Sequence, residues 1–75
     1  MPRLLVYGAN GYTGELIARE AVRRGLAPVI AGRSADAIGR LSTELGCEQR
    51  IASLGDPAAL GRALAGIDVV LHCAG

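Results

Sequence analysis

The chain has 75 residues, enough for one small domain whose core is marginal at this size unless something else helps to bury apolar surface. Hydrophobic residues make up 51%, and eight basic residues, all arginine, nearly balance seven acidic ones for a net charge of +1, which argues against a broad nucleic-acid surface or a charged binding tail. The apolar N-terminal stretch reaches Gly8 too soon for a signal peptide, and no segment is long enough to cross a membrane, so a soluble cytoplasmic protein is the default expectation.

From Arg3 to Tyr7, "RLLVY" is nearly all apolar, as expected of a strand covered on both faces in a parallel sheet. The period then changes. From about Tyr12 to Arg24, Leu16, Ile17, Ala18, Ala21 and Val22 fall on one helical face, Glu15, Arg19, Glu20, Arg23 and Arg24 fall on the other, and Gly25 is a stop signal. "APVIAGR" reads as a second strand, with Pro28 near its start and Gly32 at its end. Ser34 can cap a second helix, in which Ile38, Leu41 and Leu45 have core spacing and which Gly46 closes. "CEQRIAS" gives a short third strand. Asp56 as N-cap, Pro57 as first helical residue and Gly66 as terminator frame a third helix, and "IDVVLHCAG" is a fourth strand.

Strict alternation of strand and helix predicts a parallel sheet with right-handed crossovers and helices on its faces. The expected fold is α/β, a partial Rossmann-like doubly wound sheet of strand order 3-2-1-4. The fourth strand would then be an uncovered apolar edge. Such an edge is a liability, which suggests that residues 1–75 are the N-terminal part of a dinucleotide-binding domain in a longer protein, or that self-association covers it.

Gly8, Gly11 and Gly14 stand between the first strand and the first helix, in "GANGYTG". A helix N-terminus offers unpaired N–H groups and the positive end of the helix dipole, and both favour an anion. In a dinucleotide site Gly8 makes the tight turn, Gly11 admits the pyrophosphate to the backbone, and Gly14 lets the helix pack on the sheet. Asn10 and Thr13 can add side-chain hydrogen bonds. The competing reading is that the three glycines merely permit a sharp corner; their place in a βαβ unit favours phosphate binding. The spacing, G-x-x-G-x-x-G, is one residue looser than the usual fingerprint.

At the end of the second strand an NAD site usually carries an acid for the ribose hydroxyls, whereas an Arg suits the additional phosphate of NADP. "AGRS" has no acid there. Arg33 offers a donor fork, and Ser34 a hydroxyl and a backbone N–H, so NADP is the expected cofactor. Cys47 and Cys73 read as reduced, buried thiols, with Cys73 a candidate to face the cofactor. His72 lies near the end of the fourth strand without a partner acid and receives no catalytic role. Asp56 and Pro57 serve the helix cap; the alternative is that this loop borders the adenine. No metal-ligand cluster, catalytic triad or paired carboxylate is visible.

"YGANGYTGELIA", "PVIAGRS" and "DPAALGRALAGIDVVLHCAG" resemble, in order and spacing, the N-terminal NADP-binding region of saccharopine dehydrogenase-like oxidoreductases, including the trans-acting enoyl reductases. The resemblance implies a nicotinamide cofactor, with Gly8, Asn10, Gly11, Tyr12, Thr13 and Gly14 at the pyrophosphate. It places Arg33 and Ser34 at the adenosine phosphate, and Cys73, Ala74 and Gly75 beside the cofactor after the fourth strand. The sequence departs from that family on the nicotinamide side, in having His72 where an Asn is frequent, and on the adenine side, in having Ser53 and Leu54 where an acid is frequent. The family's substrate-binding and catalytic portions correspond to nothing within these residues.

The function implied is the NADP-binding portion of an oxidoreductase, inactive by itself, with a nicotinamide dinucleotide as partner and no nucleic acid or membrane. The alternative is a non-enzymatic NADP-sensing regulator of the atypical short-chain dehydrogenase type. Substrate, catalytic residues, reaction direction and natural oligomer are not legible in these residues.

Overall fold

The computed structural model describes residues 2–73. Four strands and three helices alternate: β1 (Leu4–Tyr7), α1 (Tyr12–Arg23), β2 (Val29–Gly32), α2 (Ala35–Leu45), β3 (Gln49–Ile51), α3 (Pro57–Ala63) and β4 (Val69–His72). The strands form one sheet of order β3-β2-β1-β4, and every pairing is parallel. This is the Rossmann-like arrangement expected from the sequence. The order reverses beside β1, whose Val6 pairs with Ile30 of β2 on one side and with Leu71 of β4 on the other.

Alternation along each strand sends side chains to two faces. On one face Val6 and Ile30 pack with Ala18 of α1 and with Ile38 and Leu41 of α2. On the other, Leu5, Tyr7, Val29 and Ala31 pack against Leu60 of α3 and Ile67. The central strands β1 and β2 are therefore covered on both sides, as their unbroken apolar runs require.

The helix ends follow local chemistry. Ser34 Oγ accepts from the Ala37 N–H at 3.3 Å, and Asp56 Oδ1 accepts from the Ala59 N–H at 3.1 Å, so α2 and α3 are both capped by a side chain. Gly46, at φ +69°, closes α2 in the left-handed conformation. α3 ends at Ala63 rather than running to Gly66. Arg50 on β3 explains part of that end: its guanidinium donates to the carbonyls of Ala63 at 2.9 Å and Ala65 at 2.6 Å, where a helix leaves acceptors unpaired. Arg19 ties the two helices of one face together, bonding Glu15 on its own helix at 2.9 Å and Glu44 on α2.

Two expectations need correction. Leu16 does not join the buried face of α1 but is 52% exposed, because that helix meets the sheet through its small residues Gly14, Ala18 and Ala21. The two cysteines are free thiols but only half-buried, since Cys47 lies in the turn after α2 and Cys73 just beyond the edge strand β4. β4 is the uncovered apolar edge that the strand order predicts, exposed along its whole length, with Val69, Val70 and Leu71 at 44%, 45% and 38%.

Candidate functional site

A cleft of about 900 Å³ runs across the carboxyl ends of the strands. Open α/β sheets bind ligands in this place, outside the strand ends where the order reverses. Its centre is the corner between β1 and α1. Gly8 turns the chain at φ +81°, its N–H donating to the Ala31 carbonyl of β2 at 2.8 Å, and the Gly11 N–H closes the turn on the Gly8 carbonyl at 2.9 Å. A side chain at Gly8 would be strained by that backbone.

The N-terminus of α1 opens directly onto the cleft. Gly11 is its N-cap residue and supplies no side-chain cap, in contrast to Ser34 and Asp56 at the other two helices. The helix begins with the bond from the Glu15 N–H to the Gly11 carbonyl at 2.8 Å, which leaves the N–H groups of the first turn available. Gly11, Tyr12 and Thr13 border the cleft at this point, all exposed. Gly14 does not border it. A Cβ there would collide with the Gly8 carbonyl oxygen and lie 2.9 Å from Ala9 Cα, so this glycine works behind the cleft, where helix and corner pack together.

The β2 side carries the charge. Arg33 follows the strand directly, is exposed, and makes no ion pair or hydrogen bond among the described residues. Ser34 beside it spends one lone pair on the α2 cap, and its hydroxyl hydrogen has no acceptor among the described residues. Asn10 reaches across from the corner: its Oδ1 would lie 3.0 Å from a Cβ added at Gly32, so the bare end of β2 gives that side chain room. Neither Asn10 nor Thr13 has a side-chain hydrogen-bond partner among the described residues. Among the described residues that line the cleft, Arg33 is the one that carries a charge and none is an acid. The arrangement is therefore an anion cradle of backbone N–H groups with one cation to its side.

Cys73 borders the cleft from the β4 side, and its N–H donates to the Tyr7 carbonyl at 2.8 Å. Ala74 and Gly75 lie outside the described residues. His72 does not line the cleft and meets the Tyr7 ring edge-on, the ring centroids 5.7 Å apart at 64°. Cys47 is remote from the site, and burial pushes its thiol up from the ordinary value. Among the described residues no group of His, Cys, Asp or Glu could hold a metal, and no helix is long and apolar enough to cross a membrane.

Five further residues border the cleft that the motifs did not single out for it: Tyr7, Gly32, Ser53, Leu54 and Gly55. Gly32 and Tyr7 immediately flank the glycine corner and Arg33 in the strands, so a strand-end argument could have reached them. The turn at 53–55 carries no motif; it arrives because β3 pairs beside β2.

A family profile described as NAD(P)H-binding matches residues 8–75. Among solved structures, a nucleoside-diphosphate-sugar epimerase from Pseudomonas aeruginosa is 37% identical over 95% of this chain, which spans 23% of that protein, with a TM-score of 0.83. An oxidoreductase of the short-chain dehydrogenase/reductase family from Burkholderia thailandensis is 29% identical over 93% of this chain and 30% of its own, with a TM-score of 0.77. AtPrR2 with NADP+ and (+)pinoresinol is 25% identical over 99% of this chain and 26% of its own, with a TM-score of 0.82. No curated protein matches. The chain thus spans between about a quarter and a third of the length of these neighbours, and the part it shares with them is the one that carries the glycine corner. With the profile match covering all but its first seven residues, the chain belongs to the NAD(P)H-binding family.

Proposed function

We propose that the chain is the NADP(H)-binding portion of an oxidoreductase of the saccharopine dehydrogenase-like kind, in the subgroup that includes trans-acting enoyl reductases. The observation that carries the choice of NADP is the pairing of an α1 N-terminus without a side-chain cap with Arg33, the one charged residue lining the cleft among the described residues. An NAD site would be expected to place a carboxylate where Arg33 stands. AtPrR2, solved with NADP+, supports the same choice.

In this reading the N–H groups of the α1 first turn, with Asn10 and Thr13, hold the pyrophosphate at Gly8, Gly11 and Tyr12. Gly14 fixes the helix at the distance that makes this possible. Arg33 and Ser34 hold the phosphate on the adenosine ribose. Cys73, followed by Ala74 and Gly75, lines the way towards the nicotinamide, which supplies or accepts the hydride when the cofactor is bound. Residues 1–75 are then the N-terminal part of a dinucleotide-binding domain, and substrate recognition and proton transfer belong to a further domain. A cytoplasmic setting, and self-association through the exposed β4 edge, complete the proposal.

The test is calorimetry with NADPH and NADH on the whole protein. Tighter binding of NADPH by tenfold or more, roughly 1.4 kcal/mol, supports the reading; equal or reversed affinity removes the assignment of NADP. The likeness to a sugar-nucleotide epimerase favours a second reading, in which the same site serves an epimerase. Net NADPH oxidation with an enoyl substrate separates the two, and binding without turnover of either substrate class points to a cofactor-sensing regulator.

A further inference from the structure

Tyr7 ties the two sides of the cleft together. On the β4 side its carbonyl accepts from the Cys73 N–H at 2.8 Å. On the other side its hydroxyl donates to the Ala52 carbonyl at 2.6 Å, in a buried hydrogen bond between residues 45 apart in sequence. To get there the ring must cross β2, where its register partner is Ala31. Ala31 lies in the same apolar cluster as Tyr7 and offers only a methyl group, so the ring can pass over it.

Ala52 is the last fixed point before the turn at 53–55. Its N–H donates to the Gly32 carbonyl at 3.0 Å, while its carbonyl takes the Tyr7 hydroxyl. Beyond it the turn is held by its own bonds, Gly55 N–H to Ser53 Oγ at 3.2 Å and Asp56 N–H to the Ser53 carbonyl at 3.0 Å. The whole turn, which borders the cleft, hangs from Ala52.

We propose that Tyr7 is a positioning residue for the adenosine end of the dinucleotide, setting the wall at Ser53 and Leu54 through the Ala52 carbonyl. The inference rests on the dinucleotide reading. If the pyrophosphate sits at the β1 corner and the ribose phosphate at Arg33 after β2, the next strand outward is β3, and the turn beyond it meets the base. Leu54, half-exposed there, presents an apolar surface for an aromatic ring. Removing the hydroxyl leaves the Ala52 carbonyl without its donor in a residue only 3% exposed, and the turn then shifts to find another.

The experiment is Tyr7→Phe in the whole protein, which keeps the ring in place over Ala31. Calorimetry with adenosine 2′,5′-bisphosphate and with inorganic pyrophosphate separates the two ends of the site, and amide exchange over residues 53–56 reads the turn directly. The expected result is a roughly three- to tenfold loss of affinity for the adenosine bisphosphate, pyrophosphate affinity within about twofold, and faster exchange in the turn. A lower melting temperature with both affinities and the turn's exchange unchanged makes Tyr7 purely structural and overturns the inference, as does an equal loss for the two probes. If the unaltered protein binds neither probe nor NADPH, the dinucleotide reading itself fails, and the Tyr7 inference with it.

Discussion

Gly14 and Gly8 are packed so closely that no side chain fits between them: a Cβ on Gly14 would overlap the Gly8 carbonyl oxygen. The contact joins the first turn of α1 to the end of β1, and it brings the helix N-terminus to the mouth of the cleft. Because the obstruction is backbone, no rotamer change relieves it. Gly14→Ala is expected to destabilise the fold by about 1–3 kcal/mol, the ordinary range for overpacking, as measured by urea denaturation. A loss below about 0.5 kcal/mol would mean that helix and corner can move apart freely.

Gly11→Ala should behave differently. Its backbone, at φ −79°, suits any residue, and the added Cβ would lie 3.3 Å from the Gly8 carbonyl oxygen, a contact that small adjustments accommodate. Stability should therefore change by less than about 1 kcal/mol, while the methyl projects where the pyrophosphate is proposed to approach and lowers NADPH affinity by about tenfold or more. Denaturation and calorimetry on the same preparation check both halves.

Arg33→Ala should weaken NADPH by about ten- to hundredfold, the equivalent of the roughly 1.5–3 kcal/mol of a charge-assisted hydrogen bond, and leave NADH nearly unaffected. Salt must be held constant, because an exposed guanidinium is screened. Equal losses for both cofactors would make Arg33 a contact to their shared part.

Arg3 and, after it, Arg50 donate to the Glu48 carboxylate and hold it below the usual glutamate range. A carboxyl group lowered on folding adds stability that is present above its unfolded value and disappears as pH falls through its folded value. Glu48→Gln should therefore be slightly less stable than the unaltered chain near neutrality and equal to it in acid. For so exposed a group the difference is about 0.5 kcal/mol or less. Denaturation midpoints from pH 7 down to about pH 3 would show the convergence; a constant gap would assign the effect to something other than ionisation.

The edge strand β4 gives a prediction about association. With Val69, Val70 and Leu71 all exposed, the 75-residue chain should self-associate, and Val70→Lys should shift it towards monomer, because a charge on an edge opposes strand addition. Sedimentation over a hundredfold concentration range distinguishes this from a chain that is monomeric throughout.

What the sequence determined by itself is whatever is encoded within one element or its two ends. Unbroken apolar runs made β1 and β2 central strands, and the period of Ile38 and Leu41 aimed α2 at the sheet. The side chains of Ser34 and Asp56 started their helices, and glycines at Gly8 and Gly46 supplied the positive φ that their turns need. That the corner, Arg33 and Ser34 border one cleft was legible because all of them sit at strand ends in a fold whose strand ends share one side. Contacts between residues far apart in the chain belong to the tertiary structure. Nothing in "CEQRIAS" says that β3 brings Ser53 and Leu54 to the cleft, that Arg50 ends α3 at the carbonyls of Ala63 and Ala65, or that the Tyr7 hydroxyl finds Ala52. Leu16 has a core-like side chain at a core-like spacing, yet it remains half-exposed. Its fate was set by how closely Gly14 lets α1 approach β1, and close approach depends on which strand lies beneath a helix and in what register, which local propensity does not encode.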